Sequence, residues 1–224
     1  MGYINNMNNN SRVLISDFDG TISKTDFFYF AIDNLLTDSD LKPWSEYEQG
    51  KLSHVDALSG IFSKIRLPVD EFHKFILELP IEESFVDTVN YCYSNKIGFY
   101  ILSAGADYYI KVILEYLGLT DKVHLICNKS VYSYETGLNI INTPQNNPFY
   151  CSDYGVSKRL AVETIKKDYN KCIFAGDGNP DIEGAKLADV VFARGVLVKL
   201  CKKYNIDVQK FDSYSDILEY LKNE

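Results

Sequence analysis

The sequence predicts an α/β protein, a doubly wound parallel sheet carrying an inserted α-helical cap and a small β-hairpin. Three observations predict it. Short apolar runs of strand length alternate with segments whose apolar residues recur at three and four positions. One long stretch, 25–83, is helical in pattern throughout. Acidic and small residues directly follow several of the apolar runs, at the carboxyl ends where open parallel sheets gather their ligands.

In chain order, residues 1–11 are polar, with Asn5, Asn6, Asn8, Asn9 and Asn10, and are expected to form a flexible tail, because they bury too little apolar surface to offset their ordering entropy. Val13, Leu14 and Ile15 make a buried strand that opens into the loop Asp17-Phe18-Asp19-Gly20-Thr21. Residues 25–83 follow as the cap, with apolar sets Phe27, Phe28, Phe30, Ala31, Leu35, then Ile61, Phe62, Ile65, then Phe72, Phe75, Ile76. The core resumes with a helix over 84–95 and strands over 98–103 and 123–127 that flank a helix over 107–117. Val131, Tyr132 and Tyr134, then Gly137, then Leu138, Ile140 and Ile141 alternate as a β-hairpin. A helix over 156–167, a strand over 171–176, a helix over 180–188 and a strand over 190–193 complete the pattern, so residues 12–24 and 84–224 form one catalytic core.

Composition narrows the partners. The formal charge of −8 over 224 residues argues against nonspecific nucleic-acid binding, which draws its affinity from Lys and Arg on phosphates. No apolar run reaches the roughly 18 residues of a membrane span, and the expected location is cytoplasmic. Five scattered cysteines have neither disulfide nor zinc spacing and are expected to be buried free thiols. His54, His73 and His124 have no metal-like spacing and are assigned to packing or surface. The abundant tyrosines, Tyr29, Tyr108 and Tyr109 among them, are assigned to packing.

The strand ends carry the chemistry. Asp17 and Asp19 follow the first strand, and Ser103, Ala104 and Gly105 the second. Asp177, Asn179 and Asp181 follow the fourth, and Lys158 opens the helix before it. Asp17, Asp177 and Asp181 gathered at one edge would repel one another without a cation, and hard carboxylate oxygens suit Mg2+. This is the equipment of phosphoryl transfer, which demands positioning and charge neutralisation above all. A metal-held Asp17 can attack phosphorus, and Asp19 can exchange the proton. Ser103 and the amides of Phe18, Ala104 and Gly105 can bind phosphate oxygens, with Lys158 offsetting charge. Asp107 is expected to cap a helix, and Asp26 either caps a helix or meets substrate. Arg194 is expected in an exposed salt bridge outside the site.

Asp17-Phe18-Asp19-Gly20-Thr21, Ile101-Leu102-Ser103, Lys158 and Gly176-Asp177 to Asp181 resemble, in order and placement, the motifs of the haloacid-dehalogenase-like hydrolases. With its helical insertion the chain looks like the phosphoserine-phosphatase-like group, over residues 13–195. The resemblance implies a Rossmann-like core, Asp17 as nucleophile, Asp19 as acid/base, and Ser103 and Lys158 as phosphate binders. It implies Mg2+ held by Asp17, the Asp19 carbonyl and Asp177, with Asp181 supporting. Ser103 to Tyr109, Cys127-Asn128-Lys129 and Asp181 to Ala193 look similar to the bacterial ketoenol-phosphate phosphatases of methionine salvage. The stretch 145–157 departs from that group, since only Cys151 stands where a cysteine cluster is expected, and Asn179-Pro180 departs from the Ala-Asn order of phosphoserine phosphatases. The expected function is a magnesium-dependent phosphomonoesterase acting on a small phosphorylated metabolite through an aspartyl phosphate. A phosphomutase using the same aspartate pair is the rival enzyme, and a catalytically silent sensor of a phosphorylated ligand the rival from another class.

Overall fold

The computed structural model describes residues 11–224. The expected tail lies outside the described residues except for Ser11, whose carbonyl accepts the amides of Asn170 and Lys171. After β1 (Arg12–Ser16) come α1 (Phe27–Leu35), α2 (Lys42–Glu48), α3 (His54–Phe62) and α4 (Val69–Leu77) of the inserted segment. There follow α5 (Phe85–Ser94), β2 (Gly98–Ala106), α6 (Asp107–Tyr116), β3 (His124–Asn128), β4 (Ser130–Ser133), β5 (Gly137–Ile140), β6 (Tyr150–Cys151) and β7 (Gly155–Val156). The chain ends with α7 (Lys158–Ile165), β8 (Lys171–Gly176), α8 (Ile182–Ala185), β9 (Val190–Ala193), α9 (Gly195–Lys203), β10 (Gln209–Lys210) and α10 (Tyr214–Asn223).

The main sheet is parallel in the order β10-β9-β8-β1-β2-β3, the α/β architecture that the alternating pattern predicts. Successive side chains of a strand face opposite ways, so β1 sends Leu14 into the apolar layer under α5, α6 and α10 and sends Val13 and Ile15 into the layer under α7 and α9. All three are 0% exposed, which explains why the run is continuously apolar rather than alternating. The segment 25–83 shares the first of these layers: Phe27, Phe62, Phe72 and Ile76 are buried in one cluster with Tyr109 and Ile113 of α6. Two neighbouring linkers join it to the sheet, where Lys24 N donates to Pro80 O (2.8 Å) and Glu82 N to Ile22 O (2.9 Å).

Several expectations need correction. β2 runs on to Ala106 with a register shift against β3 after Leu102, a bulge of the kind that re-aims side chains beside a site. Gly155 and Val156 pair with Cys151 and Tyr150, so α7 starts at Lys158, with the Ser157 side chain accepting the Leu160 amide as N-cap. The stretch 180–188 holds only a 3-10 turn and the short α8. Asp107 is the first residue of α6 rather than its N-cap. Its carboxylate accepts the amide and hydroxyl of Ser130 at 2.7 and 2.9 Å and pairs with Lys111 at 2.5 Å, tying α6 to β4. Cys151 is half-buried, while the other four cysteines are buried free thiols. Among the described residues, no helix is long and apolar enough to cross a membrane.

Candidate active site

In register, Ser16 lies opposite Ala175 on one side and Ile101 on the other. Asp17, Asp177 and the Ser103–Gly105 stretch therefore meet at one edge of the sheet. Asp17, 7% exposed, places Oδ1 2.6 Å from Lys158 Nζ, which also stands 2.6 Å from Asp181 Oδ1. The other oxygen of Asp181 accepts the amides of Asp177 (3.0 Å) and Gly178 (2.9 Å). Fully buried and bonded at both oxygens, Asp181 holds Lys158 and the loop after β8 in place. Carboxylate oxygens of Asp17, Asp177 and Asp181 all lie within 4.8 Å of one another. Gly20, at φ +73°, lets Asp177 approach, since a Cβ there would fall 2.5 Å from Asp177 Oδ2.

Asp19 is held at both oxygens: Oδ1 accepts the Phe27 amide at 3.0 Å and Oδ2 accepts the Tyr109 hydroxyl at 2.5 Å. Ser103 Oγ accepts the Gly105 amide at 2.9 Å and lies 3.4 Å from Asp19 Oδ2. The Gly105 amide is thus occupied in fixing the Ser103 hydroxyl.

The electrostatics show a shortage of positive charge. Burial, then the neighbouring Asp181, drive Asp17 well above the carboxylate range against the pull of Lys158. Burial, then Asp26, push Asp19 up to about 7 despite the Tyr109 hydrogen bond. Burial raises Asp26 to about 6, and burial with Asp181 raises Asp177 to about 6. Burial alone would depress Lys158, but Asp17 and Asp181 outweigh it and hold the ammonium above the ordinary lysine range. Among the described residues, Lys158 is the cation lining the cavity, against Asp17, Asp19, Asp26 and Asp177. A hard divalent cation fits this oxygen-rich, charge-deficient donor set.

The cavity at this edge brings together Asp17, Asp19, Ser103, Ala104, Gly105, Lys158 and Asp177. Asp181 lies beneath them. Asn179 is exposed and does not line the cavity, and the Phe18 ring is buried in the apolar core, so only its backbone remains near the site. Asp26 caps α1, its carboxylate accepting the Phe28 amide at 2.7 Å, and it also lines the cavity.

Other lining residues are not announced by the sequence. The inserted helices contribute Phe28, Tyr29, Trp44, His54, Leu58 and Phe62. His54 Nδ1 is buried without a hydrogen-bond partner, and burial lowers the imidazole to about 4. The apolar spacing of Phe28, Leu58 and Phe62 marks helix faces, but nothing in a periodic pattern separates the residues that turn toward the core from those that roof the cavity. Arg194 is mostly buried rather than exposed: it pairs with Glu82 at 2.6 Å and donates to the carbonyls of Gly20 (2.7 Å), Thr21 (3.0 Å) and Ser23 (3.3 Å). It clamps the loop after Asp19 to the returning linker.

No family model matches the chain. It is 28% identical over 214 residues to the 2-hydroxy-3-keto-5-methylthiopentenyl-1-phosphate phosphatase of Lysinibacillus sphaericus, covering 92% of each. It is 28% identical over 210 residues to that of Bacillus cereus, covering 92% of this chain and 94% of the relative. A solved phospho-aspartyl intermediate analogue of phosphoserine phosphatase shares the fold with a TM-score of 0.66 at 20% identity, over 94% of this chain and 99% of that one. A substrate-bound phosphoserine phosphatase complex shares it at 0.65 and 19%, over 94% and 98%. The chain is thus similar along nearly its whole length to phosphatases and shares the fold of phosphoserine phosphatases.

Proposed function

We propose that the protein is a magnesium-dependent phosphomonoesterase that hydrolyses a small phosphorylated metabolite through an aspartyl phosphate on Asp17. The observation that carries this reading is the Asp17–Lys158–Asp181 ion cluster beside Asp177, with the carboxylate of Asp19 held over the same cavity. Asp17, Asp177 and the Asp19 carbonyl would hold Mg2+, with Asp181 supporting. The ion supplies charge neutralisation for the nucleophile and the transferring phosphoryl group.

Asp17 attacks phosphorus as the ester P–O bond breaks, and Asp19 gives its proton to the departing alkoxide oxygen. Asp19, now ionised, takes a proton from the water that attacks the phosphoryl group on Asp17. Phosphate leaves, and both carboxyl groups return to their starting states. A folded-state Asp19 near 7 suits a group that must act first as acid and then as base. Lys158 fixes one oxygen of Asp17 and offsets charge on the phosphoryl group. The Ser103 hydroxyl, pinned by Gly105, is the phosphate-binding donor, with the backbone of Phe18 and Ala104 beside it.

The segment 25–83 is read as the cap that selects the substrate. Its contribution to the cavity wall is mainly apolar, through Phe28, Trp44, Leu58 and Phe62, and the lining cation is already bound by two aspartates. This supports a substrate with an uncharged tail over one carrying a carboxylate. The name of the curated relatives' substrate includes a methylthiopentenyl tail, which is of that kind.

The test is phosphate release with Mg2+ across thioether-bearing alkyl phosphates, sugar phosphates, phosphoserine and p-nitrophenyl phosphate. Turnover is expected, with alkyl phosphates preferred over phosphoserine. Trp44→Ala should change that ranking through differential transition-state binding. Release from no member of the panel would overturn the reading, and an isomerised sugar phosphate formed without free phosphate would identify a mutase.

A further inference from the structure

We propose that Tyr109 is a positioning residue for the acid/base carboxylate, its hydroxyl holding Asp19 in the orientation that proton exchange requires. The inference rests on the reading of Asp19 given above. Tyr109 lies in the first turn of α6, is 1% exposed, and places its hydroxyl 2.5 Å from Asp19 Oδ2. Its ring stacks on Phe27, with centroids 4.1 Å apart and an interplanar angle of 10°, and packs against Phe18 at 5.9 Å. Phe27 in turn donates its own amide to the other oxygen of Asp19 at 3.0 Å. The two residues whose rings stack on each other therefore each donate to one oxygen of the same carboxylate, Phe27 through its backbone amide and Tyr109 through its hydroxyl.

That arrangement removes the freedom Asp19 would otherwise have in a loop. A carboxylate on two rotatable bonds, tethered at one oxygen, can swing; tethered at both, by groups that are themselves locked by packing, it cannot. Oδ2 also faces the Ser103 hydroxyl at 3.4 Å, whereas Oδ1, which takes the Phe27 amide, keeps a second lone pair for the proton that is exchanged. Gly105 leaves room for the contact: a Cβ at that position would lie 2.0 Å from the Tyr109 hydroxyl and 2.8 Å from Asp19 Oδ2. A buried tyrosine hydroxyl always needs a partner, so packing alone would explain the ring. It does not explain why the acid/base carboxylate is the partner, or why a glycine is set against the contact.

Tyr109→Phe deletes the hydroxyl and keeps the stacked ring. With Mg2+ and an alkyl phosphate, kcat is expected to fall by about 10- to 100-fold while KM moves by less than about 3-fold, the pattern of lost alignment rather than lost binding. The burst rate with p-nitrophenyl phosphate, whose leaving group needs no proton, should change by less than about 3-fold. In an Asp19→Asn background the same substitution should produce no further loss, because residues acting through one another are non-additive. An unchanged kcat in Tyr109→Phe, or a full further loss on top of Asp19→Asn, would overturn the proposal. If Asp19→Asn itself left alkyl phosphate turnover intact, the acid/base reading would fail first, and the two failures are distinguishable.

Discussion

Lys158→Met isolates the electrostatic problem at the centre of the site. The ammonium is 3% exposed and stands 2.6 Å from both Asp17 Oδ1 and Asp181 Oδ1, whose side chains are 10% and 0% exposed. Methionine keeps the length and apolar stem and removes the charge. Two buried carboxylates then lose their partner, and breaking a buried ion pair from one side costs about 3–5 kcal/mol, a large part of the roughly 5–15 kcal/mol that holds a domain folded. Asp17 has an escape, which is to take up a proton. Asp17 already sits well above the carboxylate range because of burial and Asp181, with Lys158 opposing, so losing Lys158 raises it further. A group whose folded value lies above its unfolded value of about 3.9 contributes stability at low pH and loses it as pH rises through the folded value. The cost of the substitution should therefore be smaller at pH 5 than at pH 8, rising toward about 3–5 kcal/mol as Asp17 ionises. Urea unfolding followed by far-ultraviolet circular dichroism, in EDTA and at both pH values, measures it, provided the m-value is unchanged. A loss below about 1 kcal/mol at pH 8, or an equal loss at both pH values, would refute the reasoning.

Other outcomes follow from the same geometry. Asp19→Asn should slow alkyl phosphates by roughly 100- to 10,000-fold while p-nitrophenyl phosphate still forms the aspartyl phosphate, giving a burst and phosphorylated Asp17 by rapid-quench mass spectrometry; equal slowing of both substrates with no modified Asp17 would remove Asp19 from the acid/base role. Removing metal with EDTA should abolish turnover, Mg2+ should restore it, and Ca2+, with its larger and looser shell, should not; full activity in a metal-stripped sample would contradict the carboxylate-cluster argument. His54, lowered to about 4 by burial, binds a proton in the unfolded chain first, so its packing contributes stability above the unfolded value of about 6.5 that is lost as pH falls toward 4. The stability difference between the wild type and His54→Phe should accordingly shrink by up to about 3 kcal/mol between pH 7 and pH 4, and a pH-independent difference in urea midpoints would show that His54 does not titrate in that way.

Much of the core is legible in one dimension because a buried parallel strand has a local signature. Lys171–Gly176 and Val190–Ala193 have the bounds the apolar runs give them, each run being bounded by polar or turn residues. The same holds for the placement of Asp17 and Asp177, which stand one residue beyond strands whose register aligns Ser16 with Ala175. β6, β7 and β10 are two residues long and too short to carry a period. Val156 therefore reads as the start of a helix. α10 does carry one, with Tyr214, Ile217 and Leu221 buried along one face.

The sequence by itself determined the parallel α/β core, the helical insertion and the set Asp17, Asp19, Ser103, Lys158 and Asp177 that meets at one edge of the sheet, because burial and strand periodicity are written residue by residue along the chain. Tertiary structure decided what those residues touch. Tyr109 reaches Asp19 across 90 positions, Arg194 reaches Gly20 across 174, and His54 meets Trp44, Tyr47 and Tyr154 in one aromatic cluster. A tyrosine that packs and a tyrosine that also orients a carboxylate carry the same apolar signal. Only the folded chain, which brings distant segments within hydrogen-bonding distance, separates them.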